Sequence, residues 1–200
     1  MLTLHTFPLE PATLAALNDC QTVNRLVSNK FFPNLGKNAP GHKRTPRDTP
    51  PIRFRLCLPE DALGTPGLVT LLIRSPLLEV SRGVEQKDVP LADGARVRVR
   101  LALGPNLQPA GEKGVHAWVK RTFANHGMEA SKLRVSGKQV TGMPGRTQFT
   151  SWDVTADIAI LNPTAAQLAF ADGMGSGRDY GFGLIIVEAP EATEPPVEQP

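Results

Sequence analysis

The sequence predicts an α+β fold made of two tandem ferredoxin-like halves with a cleft between them. Three observations carry this. Single helices separate groups of short strands, in the order β-α-β-β-β and then β-α-β-β-α-β. No sustained alternation of strand and helix appears, which argues against a long parallel sheet. The length, 200 residues with 40% hydrophobic content, suits one large domain or two small ones. The first half is expected over residues 1–92 and the second over 93–189. Residues 190–200, prolines among acids, read as a disordered tail.

Leu2 to Phe7 alternates and reads as a strand with one buried face, ended by Pro8. His5 reads as a structural residue beside it. Pro11 to Asn29 reads as a helix: Pro11 suits the first turn, and Ala16, Cys20, Val23 and Val27 form an apolar stripe. Arg25 lies on the opposite, polar stripe, where it can reach a ligand. Phe31-Phe32-Pro33 closes the helix. Asn34 to Pro51 is a long loop of prolines and bases, bearing Lys37, His42, Lys43, Arg44 and Arg47. Such a loop suits a segment that orders on a polyanion.

Ile52 to Leu58 reads as a strand with Ile52, Phe54, Leu56 and Leu58 inward and Arg53 and Arg55 outward. Gly67 to Arg74 and Leu77 to Ser81 follow as strands. Arg96 to Leu103 repeats the pattern, with Val97, Val99, Leu101 and Leu103 set against Arg96, Arg98 and Arg100. Arginines alternating along a sheet face make a plausible RNA track. Gly114 to Asn125 reads as a helix with Trp118 as a core anchor. Lys132 to Phe149 reads as a hairpin with Lys132, Arg134, Lys138 and Arg146 outward. Trp152 to Leu161 is a strand, Pro163 to Phe170 a short helix, and Leu184 to Val187 the start of the last strand.

Between that helix and the last strand lies the densest signal in the chain, five glycines in the eleven residues from Gly173 to Gly183. So many glycines mark a backbone that needs positive φ or lies close to something large. Exposed N–H groups in such a loop suit phosphates. The loop runs from helix into strand, the reverse of a dinucleotide fingerprint, and lacks the lysine of a phosphate-binding P-loop, so a nucleotide cofactor is rejected.

Charge points the same way. The net charge is +3, yet Cys20 to Leu58 carries eight bases against one acid, Asp48. Glu188, Glu191, Glu194 and Glu198 close the chain without a base. A basic body implies an anionic partner, most often nucleic acid. Cys20 and Cys57 are isolated, and His5, His42, His116 and His126 form no ligand cluster, so neither a metal nor a cofactor is expected. Two lone cysteines and no signal peptide fit a reducing cytoplasm.

The pattern G-x-G-x-x-x-x-x-G-x-G-L, carried by Gly173, Gly175, Gly181, Gly183 and Leu184, resembles the signature of the CRISPR precursor-RNA-processing endoribonucleases of the RAMP superfamily. The CasE branch, from type I-E systems, is the nearest pattern, and the related type IV processing nucleases are an equal candidate. Val97 to Leu101 with Gly104-Pro105-Asn106 resembles the family's basic strand opening the second half. Val115 to Arg121 resembles its W-L-x-R-K helix, and Phe32-Pro33 the F-P after the first helix. The basic hairpin is similar to one that family members insert into the groove of the repeat stem.

The resemblance implies a metal-independent nuclease that cuts a CRISPR repeat at the 3′ base of its stem-loop. It also implies a protein that is monomeric when free and stays with its product among the subunits of an effector complex. Gly175, Ser176, Gly177, Arg178 and Tyr180 of the loop then join the RNA-binding set, with Arg53, Arg55, Arg98 and Arg100. One departure touches the active site. The histidine that the CasE branch places in the first helix is Arg25 here. A guanidinium is a poor base and a good charge stabiliser. Lys30 suits a similar role. His42 titrates near neutrality and suits a base or acid if its loop folds inward, or is a solvated loop residue. Tyr180 either contacts a nucleotide or caps the loop. A subunit that holds RNA without cutting it, or a ribosomal-type ferredoxin-like protein, are the other readings.

Overall fold

The computed structural model describes residues 3–10, 19–32, 52–59, 61, 65–76, 78, 85–88, 91–104, 111–143 and 146–188, with backbone alone at 85–88, 141–143, 146 and 147. The first half holds β1 (Thr3–Leu9), α1 (Cys20–Phe31), β2 (Arg53–Cys57), β3 (Val69–Arg74) and β4 (Glu85–Asp88). The second holds β5 (Arg96–Leu103), α2 (Gly111–Asn125), β6 (Met128–Met143), β7 (Arg146–Ile160), α3 (Pro163–Asp172) and β8 (Ile186–Val187). The sheets run β2-β3-β1-β4 and β6-β7-β5-β8, every neighbouring pair antiparallel. In both, the first strand lies between the third and the fourth. That is the ferredoxin-like order, and the expected pair of such halves is what the chain forms. Among the described residues no helix is long and apolar enough to cross a membrane.

Each sheet buries one face under helices. In the first half, Val23 and Val27 of α1 pack on Leu9, Phe54, Leu71 and Ile73. In the second, Val115, Val119 and Phe123 of α2 and Ala166 and Phe170 of α3 cover Val99, Leu101, Val154 and Ile158. The remaining seam joins the halves: Leu4, Cys57 and Leu72 meet Leu184 and Ile186. Five apolar side chains, each contributing about 1.5–3 kcal/mol when fully buried, make this a narrow hydrophobic contact. Polar contacts described below complete it.

Three elements differ from the sequence reading. The helix expected from Pro11 begins at Cys20, because Asp19 is extended (φ −152°, ψ 162°) and its carboxylate accepts a 2.6 Å bond from the Thr22 amide. Helical spacing alone ran through this cap; residues 11–18 lie outside the described set. The strand expected at Leu77–Ser81 is not found at Leu78, its one described residue, whose N–H turns back to the Ser75 carbonyl at 3.4 Å. A strand lies at Glu85–Asp88, paired with β1; residues 77 and 79–81 lie outside the described residues. Four polar residues gave no alternation to read. Finally, the expected hairpin and the strand after it are one structure. β6 and β7 span 16 and 15 residues and pair from Met143↔Arg146 to Met128↔Ile160. A bulge at Ser131/Arg134, with Lys132 at φ 46°, breaks the ladder once.

His5 is structural, as its place in β1 implied: it is 4% exposed, its Nδ1 lacks a partner, and burial pushes its pKa down from the ordinary value. The folded state therefore binds this proton less readily than the unfolded chain. Stability is expected to fall as pH drops below about 6.5, where the unfolded imidazole takes a proton that the folded one refuses. Urea unfolding at pH 5 and 7.5 checks this, and His5→Gln should flatten the difference.

Candidate nucleic-acid interface

The glycine loop is built by closure upon itself. α3 ends at Gly173, whose N–H bonds the Ala169 carbonyl, and the next amide, Met174, donates to the Gly183 carbonyl at 2.9 Å. Gly183 sits at φ 77°, and a Cβ there would stand 2.3 Å from the Met174 carbonyl oxygen. Gly183→Ala is expected to cost about 2 kcal/mol or more, from left-handed strain plus this clash, and a thermal melt would read it. At Gly181 a Cβ would meet the Phe54 ring of β2 at 3.2 Å, so the loop backbone lies close against the first half. Much of the glycine signal is thus spent on protein packing.

Two arginines opposite each other in the β2–β3 register, Arg53 and Arg74, hold the stems of this loop. Arg74 is 3% exposed; its Nη1 donates to the carbonyls of Phe170 (3.0 Å) and Ile185 (2.8 Å). Its guanidinium carbon lies 5.5 Å from the Phe170 ring centroid. Burial pushes its pKa down to about 10, so it remains a buried cation at neutral pH. Arg53 Nε donates to the Asp172 carbonyl, shared with Arg178 Nη1 at 3.1 Å, and its Nη1 lies 3.7 Å from the Asp179 carboxylate. From α1 the Asn24 amide donates to the Asp179 carbonyl. The expectation that Arg53 and Arg55 face outward is therefore corrected. Their side of β2 is the side with Cys57 that meets the second half, and Arg55 is 8% exposed.

The facing side of the second sheet is charged but largely self-paired. Arg55 Nη2 lies 3.4 Å from Asp153, and Arg100 Nε 3.1 Å from Glu188. Arg98 and Lys132 both hold Asp157, at 2.9 and 3.1 Å. Those bonds, Lys132 foremost, keep the Asp157 carboxyl below its usual range. Arg134 and Lys138, exposed on β6, have no ion pair among the described residues. Burial pushes the Cys57 thiol up to about 11 and raises that of Cys20, which suits neither as a nucleophile. No group of side chains suited to a metal occurs among the described residues.

The other expected site residues are scattered. Arg25 is exposed in the middle of α1, and Lys30 in its last turn with Nζ 5.8 Å from the Phe31 ring centroid. Five residues of helix set them about 140° apart, so they do not converge on one point. Gly175, Ser176, Gly177, Arg178 and Tyr180 are half-buried in the loop, with Tyr180 at a cavity wall. Lys37, His42, Lys43, Arg44 and Arg47 lie outside the described residues, as does the side chain of Arg146. Asn24, Asp153 and Asp179 escaped the sequence reading, since isolated polar residues carry no periodic signal. Arg74 left a trace: a cation closing the wholly apolar run Leu71-Leu72-Ile73.

No protein-family model matches the chain, and no curated protein matches it. Solved structures do. A Thermus thermophilus Cse3 bound to an RNA representing a pre-cleavage complex aligns at TM-score 0.68 and 20% identity, over 94% of this chain and 99% of that one. Cas6e from Escherichia coli K-12 aligns at TM-score 0.62 and 16% identity, over 94% and 98%. A chain of a CRISPR RNA-guided surveillance complex, pre-nicking, aligns at TM-score 0.52 and 18% identity, over 94% and 99%. With both sheets, their strand order and nearly the whole length in common, this chain has the two-domain ferredoxin-like fold of the CRISPR endoribonucleases Cse3 and Cas6e.

Proposed function

We propose that this protein is a metal-independent endoribonuclease that binds the stem-loop of a CRISPR repeat, cuts precursor RNA at the 3′ base of the stem and remains with the product in an effector complex. The observation that carries the reading is the alignment, over nearly the whole of both chains, with an endoribonuclease bound to RNA before cleavage. The hairpin β6–β7 supports it by presenting Arg134 and Lys138 exposed and with no ion pair among the described residues, where they suit the groove edge at a stem end. Its free cysteines suit a reducing cytoplasm.

The proposed reaction runs without a metal. The 2′-OH upstream of the scissile phosphate loses its proton and attacks phosphorus in line. A P–O2′ bond forms and the P–O5′ bond breaks. The 5′ oxygen takes a proton, leaving a 2′,3′-cyclic phosphate and a 5′-OH. Arg25 or Lys30, which lie about 140° apart on α1, is the candidate stabiliser of the pentacoordinate phosphorane, and His42 the candidate proton carrier.

One observation favours a second reading. Arg25 occupies the helix position where the CasE branch carries histidine, and a guanidinium stays protonated and cannot act as a base. The alternative is a subunit that holds the crRNA stem-loop without cutting it. Incubating the protein with a labelled repeat stem-loop in EDTA decides between them. One discrete cut, abolished by a 2′-deoxy residue upstream of it and reduced in Arg25→Ala or His42→Ala, supports the nuclease. Tight binding without a cut supports the holding subunit.

A further inference from the structure

Two adjoining cavities lie between the halves, about 340 and 360 Å³, with Arg55, Asp61 and Asp153 in the walls of both. The first is walled by Phe54, Tyr180 and Phe182. The second adds Arg100 and Arg134. Each volume falls in the range that holds a small organic ligand. Flat aromatic walls next to a charged annex are unlike a packing defect, which is apolar and dry.

The polar groups at the junction are only partly used. Arg55 Nη1 is buried without a hydrogen-bond partner among the described residues. Asp153 is 37% exposed, and its one described bond is the 3.4 Å contact with Arg55 Nη2. A buried donor ordinarily finds a partner, so Arg55 Nη1 calls for a ligand with an acceptor, and one that also carries a donor can engage the solvent-accessible Asp153 carboxylate beside it. The edge of a nucleobase carries donors and acceptors side by side on a flat ring, and its phosphate supplies an anion for a free cation. Arg134 is such a cation.

We propose that the joined cavities receive one unpaired nucleotide of the bound RNA. Its base lies beside Tyr180 and Phe182 with its polar edge toward Arg55 and Asp153, and its phosphate meets Arg134. The inference rests on the RNA-binding reading above and adds a requirement to it: recognition of a single-stranded residue flanking the stem, separate from recognition of the stem. Stacking of unpaired bases on aromatic side chains is the common route to such recognition.

The test uses repeat stem-loops with single-stranded flanks, an abasic residue being placed at each unpaired position in turn. Binding is measured with wild type, Tyr180→Ala and Tyr180→Phe, after melting curves show that all three fold. The expected result is one abasic position that weakens wild-type and Tyr180→Phe binding about tenfold and has no effect in Tyr180→Ala. Equal affinity for every abasic substrate, with the stem-loop still bound, overturns the nucleotide site and leaves the RNA-binding reading standing. Failure to bind any stem-loop overturns both. Displacement of a flanked stem-loop by millimolar free nucleoside monophosphate, with no abasic effect, assigns the cavities to a soluble nucleotide and overturns delivery by the strand.

Discussion

Replacing Arg74 by alanine is expected to lower the unfolding free energy by about 3 kcal/mol and the melting temperature by roughly 6–12 °C. The guanidinium is 3% exposed and gives Nη1 to two carbonyls, Phe170 at the end of α3 and Ile185 just beyond the glycine loop. Alanine leaves both acceptors without this donor and opens a void beside the Phe170 ring. Relief of the buried charge offsets part of that loss, since Nε and Nη2 have no hydrogen-bond partner among the described residues. Arg74→Met separates the two contributions. It fills the void and removes the charge, so it should retain more stability than alanine. Equal melting temperatures for wild type and Arg74→Ala would show that the clamp contributes nothing.

Removing two hairpin cations that form no ion pair among the described residues, in Arg134→Ala/Lys138→Ala, is expected to weaken stem-loop binding about 30-fold near physiological salt. The slope of log affinity against log salt should become shallower by roughly 2, one for each lost phosphate contact. These side chains are exposed and free of ion pairs among the described residues, so nothing within the protein has to be broken before they meet RNA. Arg98 is the contrasting control: its Nε already lies 2.9 Å from Asp157, so Arg98→Ala should change affinity much less. Titrations at several salt concentrations separate the variants. Identical slopes for the double variant and wild type would remove the hairpin from the interface.

Much of the fold was legible because burial imposes periodicity. The strand Arg96–Leu103 could be read residue by residue: Val99, Leu101 and Leu103 are buried, and Arg96 and Arg98 exposed. The same rule failed at β2. Alternation assigned one face of Arg53 and Arg55 to solvent, yet both faces are covered, one by α1 and the other by the second half. A single strand's pattern cannot say what arrives from 100 residues away. The candidate site was legible in composition, as basic segments and a glycine loop, but not in geometry. Which arginines are free and which are spent on Asp153, Asp157 or Glu188 depends on sheet register, and register has no local signature.

The way Arg53 and Arg74 grip the two ends of the glycine loop has a consequence for how the chain comes apart. The first half supplies the donors and the second supplies the acceptors, with a five-residue apolar seam beside them. Cutting the chain between β4 and β5 would leave the first fragment with an arginine stripped of its acceptors and the second with a glycine loop lacking its brace. The halves look alike in topology, yet they are expected to unfold as one cooperative unit. Amide exchange should accordingly show the loop stems opening together with β3, at a free energy close to that of global unfolding, although glycine-rich segments ordinarily exchange first.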